Sequence, residues 1–161
     1  MSLPSPIDAL RLPLRLLPAS LHAHALAAAA NHLLRGQPLR ERLSELEGRA
    51  VAIHIRDAGL TLCFAIRERR LVPTRDPGTV SIQGDLRDFV ALATRAEDPD
   101  TLFFQRRLCI EGDVDTGVHV KNLLDSIEYD WPAHLRAVLP APLAQAVLTL
   151  ARRLRGRPHA A

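Results

Sequence analysis

The sequence predicts an α+β domain, a small five-stranded sheet with helices laid over one of its faces. Three observations carry that prediction. Between Val51 and Gln83 the apolar residues alternate, the period of strands that bury one face. On both sides of that region they recur at i, i+3 and i+4, the period of amphipathic helices. The clusters Asp57-Ala58-Gly59, Asp76-Pro77-Gly78 and Asp98-Pro99-Asp100 punctuate the runs, as chain reversals require. With 161 residues, 47% of them hydrophobic, the chain has enough apolar content to bury one core. A single domain with helical flanks is expected.

Residues 1–45 read as an N-terminal arm and helices. Pro4, Pro6, Pro13 and Pro18 forbid a continuous helix at the start, because each ring removes a donor and clashes with the preceding turn. Ser20 is a candidate N-cap for a helix through Leu34, favoured by the alanine run, with Gly36 as its stop. A short helix from Pro38 to Leu46 follows, with Leu39, Leu43 and Leu46 on one face. The first strand puts Val51, Ile53 and Ile55 opposite Ala52, His54 and Arg56. The second puts Leu60, Leu62, Phe64 and Ile66 opposite Thr61, Cys63, Ala65 and Arg67. A tight turn at Glu68-Arg69 leads to a third strand from Arg70 to Thr74, which Pro73 confines to an edge or a short length. Val80 to Gln83 forms the fourth strand, ended by Gly84. Asp85 is placed to cap a helix through Arg95 with Leu86, Phe89, Val90 and Ala93 facing inward.

The stretch from Asp98 to Asp130 carries the densest instruction. Its opening turn leads through Leu102, Phe103 and Phe104 to the pair Arg106-Arg107 and a fifth strand-like run, Arg107 to Glu111. Gly112 stops that strand, and Asp113 or Asp115 can cap the next helix while their charge suits its positive end. Val120, Leu123, Leu124 and Ile127 then fall at i, i+3, i+4 and i+7. Trp131-Pro132 ends that helix, and residues 131–161 read as an amphipathic basic tail. Its last helix carries a stripe of Leu143, Val147, Leu150 and Leu154, with Arg152, Arg153, Arg155 and Arg157 crowding the end. Packing on the domain and contact with a membrane surface both fit that pattern. Arg152, Arg153 and Arg155 are the candidates for the latter.

The net charge is +3, and every cation except Lys121 is an arginine, a side chain suited to phosphate. Aromatic residues make up only 4% of the chain, which leaves a nucleic-acid-binding module poorly supplied with bases' stacking partners. No Gly-rich phosphate loop or nucleophile elbow occurs. His22 and His24 diverge on a helix and have no ligand partners at metal spacing. His54 and His119 are expected to border the core, each with a local hydrogen bond. Glu111 and Asp113, beside Arg106-Arg107, read as caps and charge balance rather than an acid–base pair, since a capping role already accounts for Asp at a strand-to-helix junction. A small hydrolase or transferase would need a polar triad that the chain does not supply, so no enzyme, cofactor or metal is expected.

Cys63 and Cys109 sit in strand-like runs, where a free thiol behaves as a small hydrophobe. A reducing, cytoplasmic compartment without a disulfide is expected. No run approaches the about 18 apolar residues of a membrane span. A secretory leader is not expected either, because Pro18 and two histidines break the apolar run after Arg15. What remains is an excess of apolar side chains near the strand-to-helix junctions: Leu62, Phe64, Ile66 and Ile82 on strands, with Phe89, Phe103 and Phe104 beside them. A solid core and a lipid-sized cavity use the same residues, and on the residues alone both readings stand.

The run VSIQGDLRDFVALATRAEDPDTLFFQRRLCIEGD, followed by VKNLLDSIE, resembles the sterol carrier protein type-two (SCP2-like) domain. With LEGR at Leu46 to Arg49 and IHIRD at Ile53 to Asp57, it resembles more closely the UbiT-type accessory factors of anaerobic ubiquinone biosynthesis. The resemblance covers residues 46–130, which it marks as a lipid-binding domain. It implies a mixed five-stranded sheet covered by helices around an apolar tunnel, in a protein that binds lipid without transforming it. Candidate lining is Leu62, Phe64, Ile66, Ile82 and Phe89, then Phe103, Phe104, Leu108 and Ile110, then Val120, Leu123, Leu124 and Ile127. Of the two faces of the fifth strand, the one with Leu108 and Ile110 is expected inside. The implied ligands are polyprenylated quinone intermediates and phospholipid. The implied partners are hydroxylating proteins of the UbiU and UbiV type and other ubiquinone biosynthesis enzymes, at the inner face of a membrane. A general lipid or sterol carrier is the alternative within the same fold.

Overall fold

The computed structural model describes residues 14–126, 131–138 and 140–155. Strands β1 (Ala50–Ile55), β2 (Leu60–Arg67), β3 (Arg70–Pro73), β4 (Val80–Gly84) and β5 (Cys109–Gly112) form one five-stranded sheet in the order β3-β2-β1-β4-β5. The central β1 pairs antiparallel with β2 and parallel with β4. The α+β sheet is therefore mixed, as expected. Around it run α1 (Ala19–Leu34), α2 (Leu39–Arg42) continued by a 3-10 turn at Leu43–Leu46, α3 (Leu86–Ala93), α4 (Pro99–Phe104), α5 (Val114–Asp125), α6 (Trp131–Val138) and α7 (Ala141–Arg155).

Register sorts the side chains. Val51 lies opposite Phe64 and Val80, and Ile53 lies opposite Leu62 and Ile82. Ile82 in turn faces Ile110. Because side chains alternate along a strand, these residues share the helix-covered face, while Ala52, Cys63, Ser81 and Glu111 share the other. Helix α1 is tied to the β3 edge by a two-way bond. Leu71 N–H donates to Asn31 Oδ1 at 2.9 Å, and Asn31 Nδ2 donates to the Leu71 carbonyl at 2.8 Å. A side-chain amide thus satisfies an edge that would otherwise present open backbone groups. The Glu68-Arg69 turn has both residues at positive φ, 52° and 57°, the geometry of a tight hairpin turn. The Glu47 carboxylate accepts from both of their amides, which holds two non-glycine residues in that shape.

Several expectations need correction. Helix α1 starts at Ala19 rather than after Ser20, because Pro18 occupies the cap position with φ already near helical, −57°. Asp85 stands at the N-cap of α3, but its side chain makes no capping bond. Asp57 Oδ1 instead accepts from Leu86 N–H at 2.8 Å, while Asp85 faces Arg56. On α3, Ala93 is exposed and Ala91 is fully buried. Phe103 and Phe104 close helix α4 rather than lead into a strand, and β5 begins at Cys109, two residues later than expected. Arg106, at φ 56°, makes the reversal between them. On α7 the inward side is Ala144, Leu148, Leu150 and Ala151, and Leu143 is 54% exposed. Alanines at i and i+7 allow closer helix approach than the expected leucine stripe would. Ile127 and the side chains of Leu154 and Arg155 lie outside the described residues.

Asp113 is the N-cap of α5. Its Oδ2 accepts from Thr116 N–H at 2.9 Å and from the Thr116 hydroxyl at 2.5 Å, and Arg49 lies 3.3 Å away. These bonds, led by the Thr116 hydroxyl, hold the carboxyl below its usual range. A depressed folded value stabilises above the unfolded pKa and loses that contribution as pH falls through the folded one. Asp113→Ala is therefore expected to lower the melting temperature at pH 7. The gap from the parent should narrow once the pH drops below about 4; a pH-independent gap would exclude the ionised cap.

Candidate functional site

The helix-covered face of the sheet gathers two apolar clusters. One lies under α1 and α3 and joins Ile55, Leu60, Leu62, Phe64 and Leu86 to Ala23 and Ala27. The other lies under the Leu43–Leu46 turn and α5 and joins Leu43, Leu46, Val51, Ile66, Val80, Ile82 and Val120. Leu71 and Phe89 pack against both. At the middle of the central strand, on that same face, Ile53 is only half-buried, although Val51 and Ile55 on either side are 8% exposed. Phe89, Val90, Ile110, Leu123 and Leu124 also face inward and keep accessible surface. Together with the two clusters they line one continuous apolar face between sheet and helices, which keeps accessible surface at these positions.

Among the described residues, the expected lining apart from Phe103, Phe104 and Leu108 belongs to these two clusters or packs against them. Leu62, Phe64, Ile66, Ile82, Leu108 and Val120 are buried, and Phe89, Phe103, Ile110, Leu123 and Leu124 are half-buried. Leu108 and Ile110 stand on the inner side, away from Glu111, whose carboxylate accepts from Gln83 Nε2 at 2.7 Å. Phe104 is the exception, 90% exposed. Helix α4 buries Leu102 completely, and a residue two positions on points about 200° away. Sequence reasoning left Ile53 and Val90 out of the candidate lining; their strand and helix periodicities were the only signal, and those mark a face without showing where it stays accessible.

Charged groups beside this face are engaged with one another. Arg107 does not join Glu111 and Asp113, as its place in the sequence suggested. It turns to Asp88, with Nε to Oδ1 at 2.8 Å, and to Glu97, with Nη2 to Oε1 at 2.9 Å. Burial works against its charge, but the bonds to Glu97 and Asp88 outweigh it and raise its pKa further. Lys121 bonds Asp100 at 2.5 Å and Asp125 at 2.7 Å, which raises its pKa. His54 and His119 meet Thr61 and Glu45 at 2.9 and 3.0 Å. Cys63 and Cys109 are free and half-buried, and burial, then Asp76, pushes the Cys63 thiol up, away from a reactive thiolate.

A concavity of about 270 Å³ lies between α6 and α7, lined by Arg136, Ala141, Ala144, Gln145 and Leu148. Arg152 and Arg153 are exposed near the end of α7. Among the described residues no helix is long and apolar enough to cross a membrane, and no three His, Cys, Asp or Glu side chains are grouped to hold a metal.

The profile of the SCP-2 sterol transfer family matches residues 30–125. The ubiquinone biosynthesis accessory factor UbiT of Escherichia coli strain K12 is 39% identical over 132 residues, 81% of this chain and 76% of that protein. Among solved structures, the UbiJ-SCP2 ubiquinone synthesis protein superposes with a TM-score of 0.54 at 17% identity, over 65% of this chain and 94% of that one. At that identity the likeness is one of fold.

Proposed function

We infer function from one premise: this chain belongs to the SCP-2 sterol transfer family and, within it, to the UbiT accessory factors of ubiquinone biosynthesis. Its role is accessory, and what it binds is lipid. On the finer reading, it holds polyprenylated ring intermediates, or phospholipid, in a cleft between sheet and helices during oxygen-independent synthesis, and it changes no covalent bond. Proteins of the UbiU and UbiV type would hydroxylate the ring it presents. The half-buried Ile53 at the centre of the apolar face, with Phe89, Val90, Ile110, Leu123 and Leu124 around it also keeping accessible surface, is the observation that carries this reading. A polyprenyl tail gains about 0.8 kcal/mol for each methylene-sized group it buries, so apolar walls are sufficient for affinity. Exposed Arg152 and Arg153 are proposed to face lipid head groups where the ligand enters.

Solvent extraction of the purified protein followed by mass spectrometry is expected to release isoprenoid or phospholipid. Ile53→Trp fills the cleft and is expected to lower the amount bound at least tenfold while the protein still unfolds cooperatively. An empty parent protein, or an Ile53→Trp variant as loaded as its parent, would overturn the reading. Loss of ubiquinone on deletion during growth without oxygen separates this role from that of a general lipid carrier.

A further inference from the structure

Phe104 is the most exposed large apolar side chain among the described residues, at 90%, and it stands on a firm mount. Leu102, two residues before it, is completely buried, and the Leu102 carbonyl accepts from Arg107 N–H at 3.0 Å and from Leu108 N–H at 3.1 Å. At the start of α4 the Asp98 carboxylate accepts from Thr101 N–H. Lys121 then ties α4 to α5 through Asp100. Asp100 and Phe104 stand one turn apart on α4, and Val114, Val118 and Lys121 follow one another along one stripe of α5. The Lys121–Asp100 bond therefore joins the two stripes into a single surface. On it Val114 is 76% and Val118 51% exposed. An aromatic side chain held out in water beside other apolar groups is the kind of anchor that protein–protein contacts use.

The charges around this surface select what it meets. Asp100 lies one turn before Phe104 and Asp115 one turn before Val118, both exposed, and from Glu97 to Asp130 carboxylates outnumber cations. An anionic bilayer repels such a rim. A symmetric contact, which sets the same patch of two copies face to face, would bring these carboxylates together. After Asp130 the sequence contains no Asp or Glu. That stretch builds the concavity between α6 and α7, lined by the exposed Arg136 and Gln145 and by the nearly buried Ala144 and Leu148. Its volume of about 270 Å³ falls below the about 300–1,000 Å³ of a small-molecule pocket, and it suits one inserted side chain. We propose that Phe104 of one copy enters the α6–α7 concavity of a second copy, with Asp100 and Asp115 turned toward Arg136. The contact is heterologous, so copies join head to tail and leave one free anchor and one free concavity at the ends of an open assembly. It is independent of what the interior binds.

The test is light scattering of the full chain over a range of concentrations and salt. The mean mass is expected to rise above one protomer with concentration and to fall with added salt. Phe104→Ser removes the anchor and is expected to weaken association at least about thirtyfold, the loss of one aromatic hot spot. Gln145→Trp fills the concavity and is expected to weaken it as much. Both changes are at exposed positions, so the melting temperature of each variant is expected to match that of the parent. The deciding measurement mixes the two variants in equal amounts. The Ser variant keeps an open concavity and the Trp variant keeps Phe104, so the mixture is expected to form one-to-one pairs and nothing larger. A parent that stays monomeric up to its solubility limit overturns the proposal, as does association that survives either change. A mixture that stays monomeric overturns it too, because a symmetric contact between Phe104 patches needs the anchor on both copies.

Discussion

Arg107→Met is expected to destabilise the protein by about 3–5 kcal/mol, the cost of leaving a buried charge without its partner. The guanidinium is the shared cation of two carboxylates whose side chains are 8% and 16% exposed, Asp88 and Glu97. Removing it leaves both facing each other in poor solvent. The same group joins the approach to β5 to α3 and to the loop after it, so its loss loosens the wall that carries Leu108. Urea denaturation of the parent and variant measures the difference. Replacing all three together, Arg107→Met/Asp88→Leu/Glu97→Met, is expected to recover most of the loss, because an apolar set of similar volume needs no desolvation. A single variant within about 0.5 kcal/mol of the parent would show that the triad contributes nothing net.

Gly78→Ala is expected to cost at least about 3 kcal/mol, from left-handed strain together with overpacking. Gly78 has φ +67°, and a Cβ there would lie 1.8 Å from the carbonyl oxygen of Ala50. That oxygen belongs to the first residue of the central strand, so relief requires moving β1 away from β4. Gly36→Ala is the control, since Gly36 has a similar φ of +73° with nothing within 4 Å of the added carbon. It is expected to cost about 1–2 kcal/mol, the strain alone. Equal losses at the two sites would refute the close approach at Gly78.

Much of the fold was legible because it rests on short-range rules. Alternation from Val51 to Gln83 marked the strands and their inner faces, and it placed Leu62, Phe64 and Ile82 among the buried residues. The position after Gly112 marked Asp113 or Asp115 as the cap of the next helix, and Asp113 takes that place. Where chain neighbours mislead, the competing partner comes from far along the chain. Asp57 displaced Asp85 as the acceptor at the start of α3, and Arg107 passed over the adjacent Glu111 for Asp88 and Glu97. Phe104 shows a different failure. An apolar trio fits a strand or a helix equally well over so short a span, and the helical choice turned Phe104 out to solvent.

By itself, then, the sequence determined the five strands, the faces they bury and the family to which they belong, since periodicity, turn residues and a long shared motif are local and survive without coordinates. Only the tertiary structure decided that Ile53, in the middle of the central strand, keeps accessible surface while Val51 and Ile55 are buried, and that Leu21 and Leu26 of α1 stand exposed. The physical reason is the same in both cases. An apolar side chain carries the same pattern whether its neighbour is another side chain, a ligand or a membrane, and which of these lies against it depends on contacts between segments far apart in the chain.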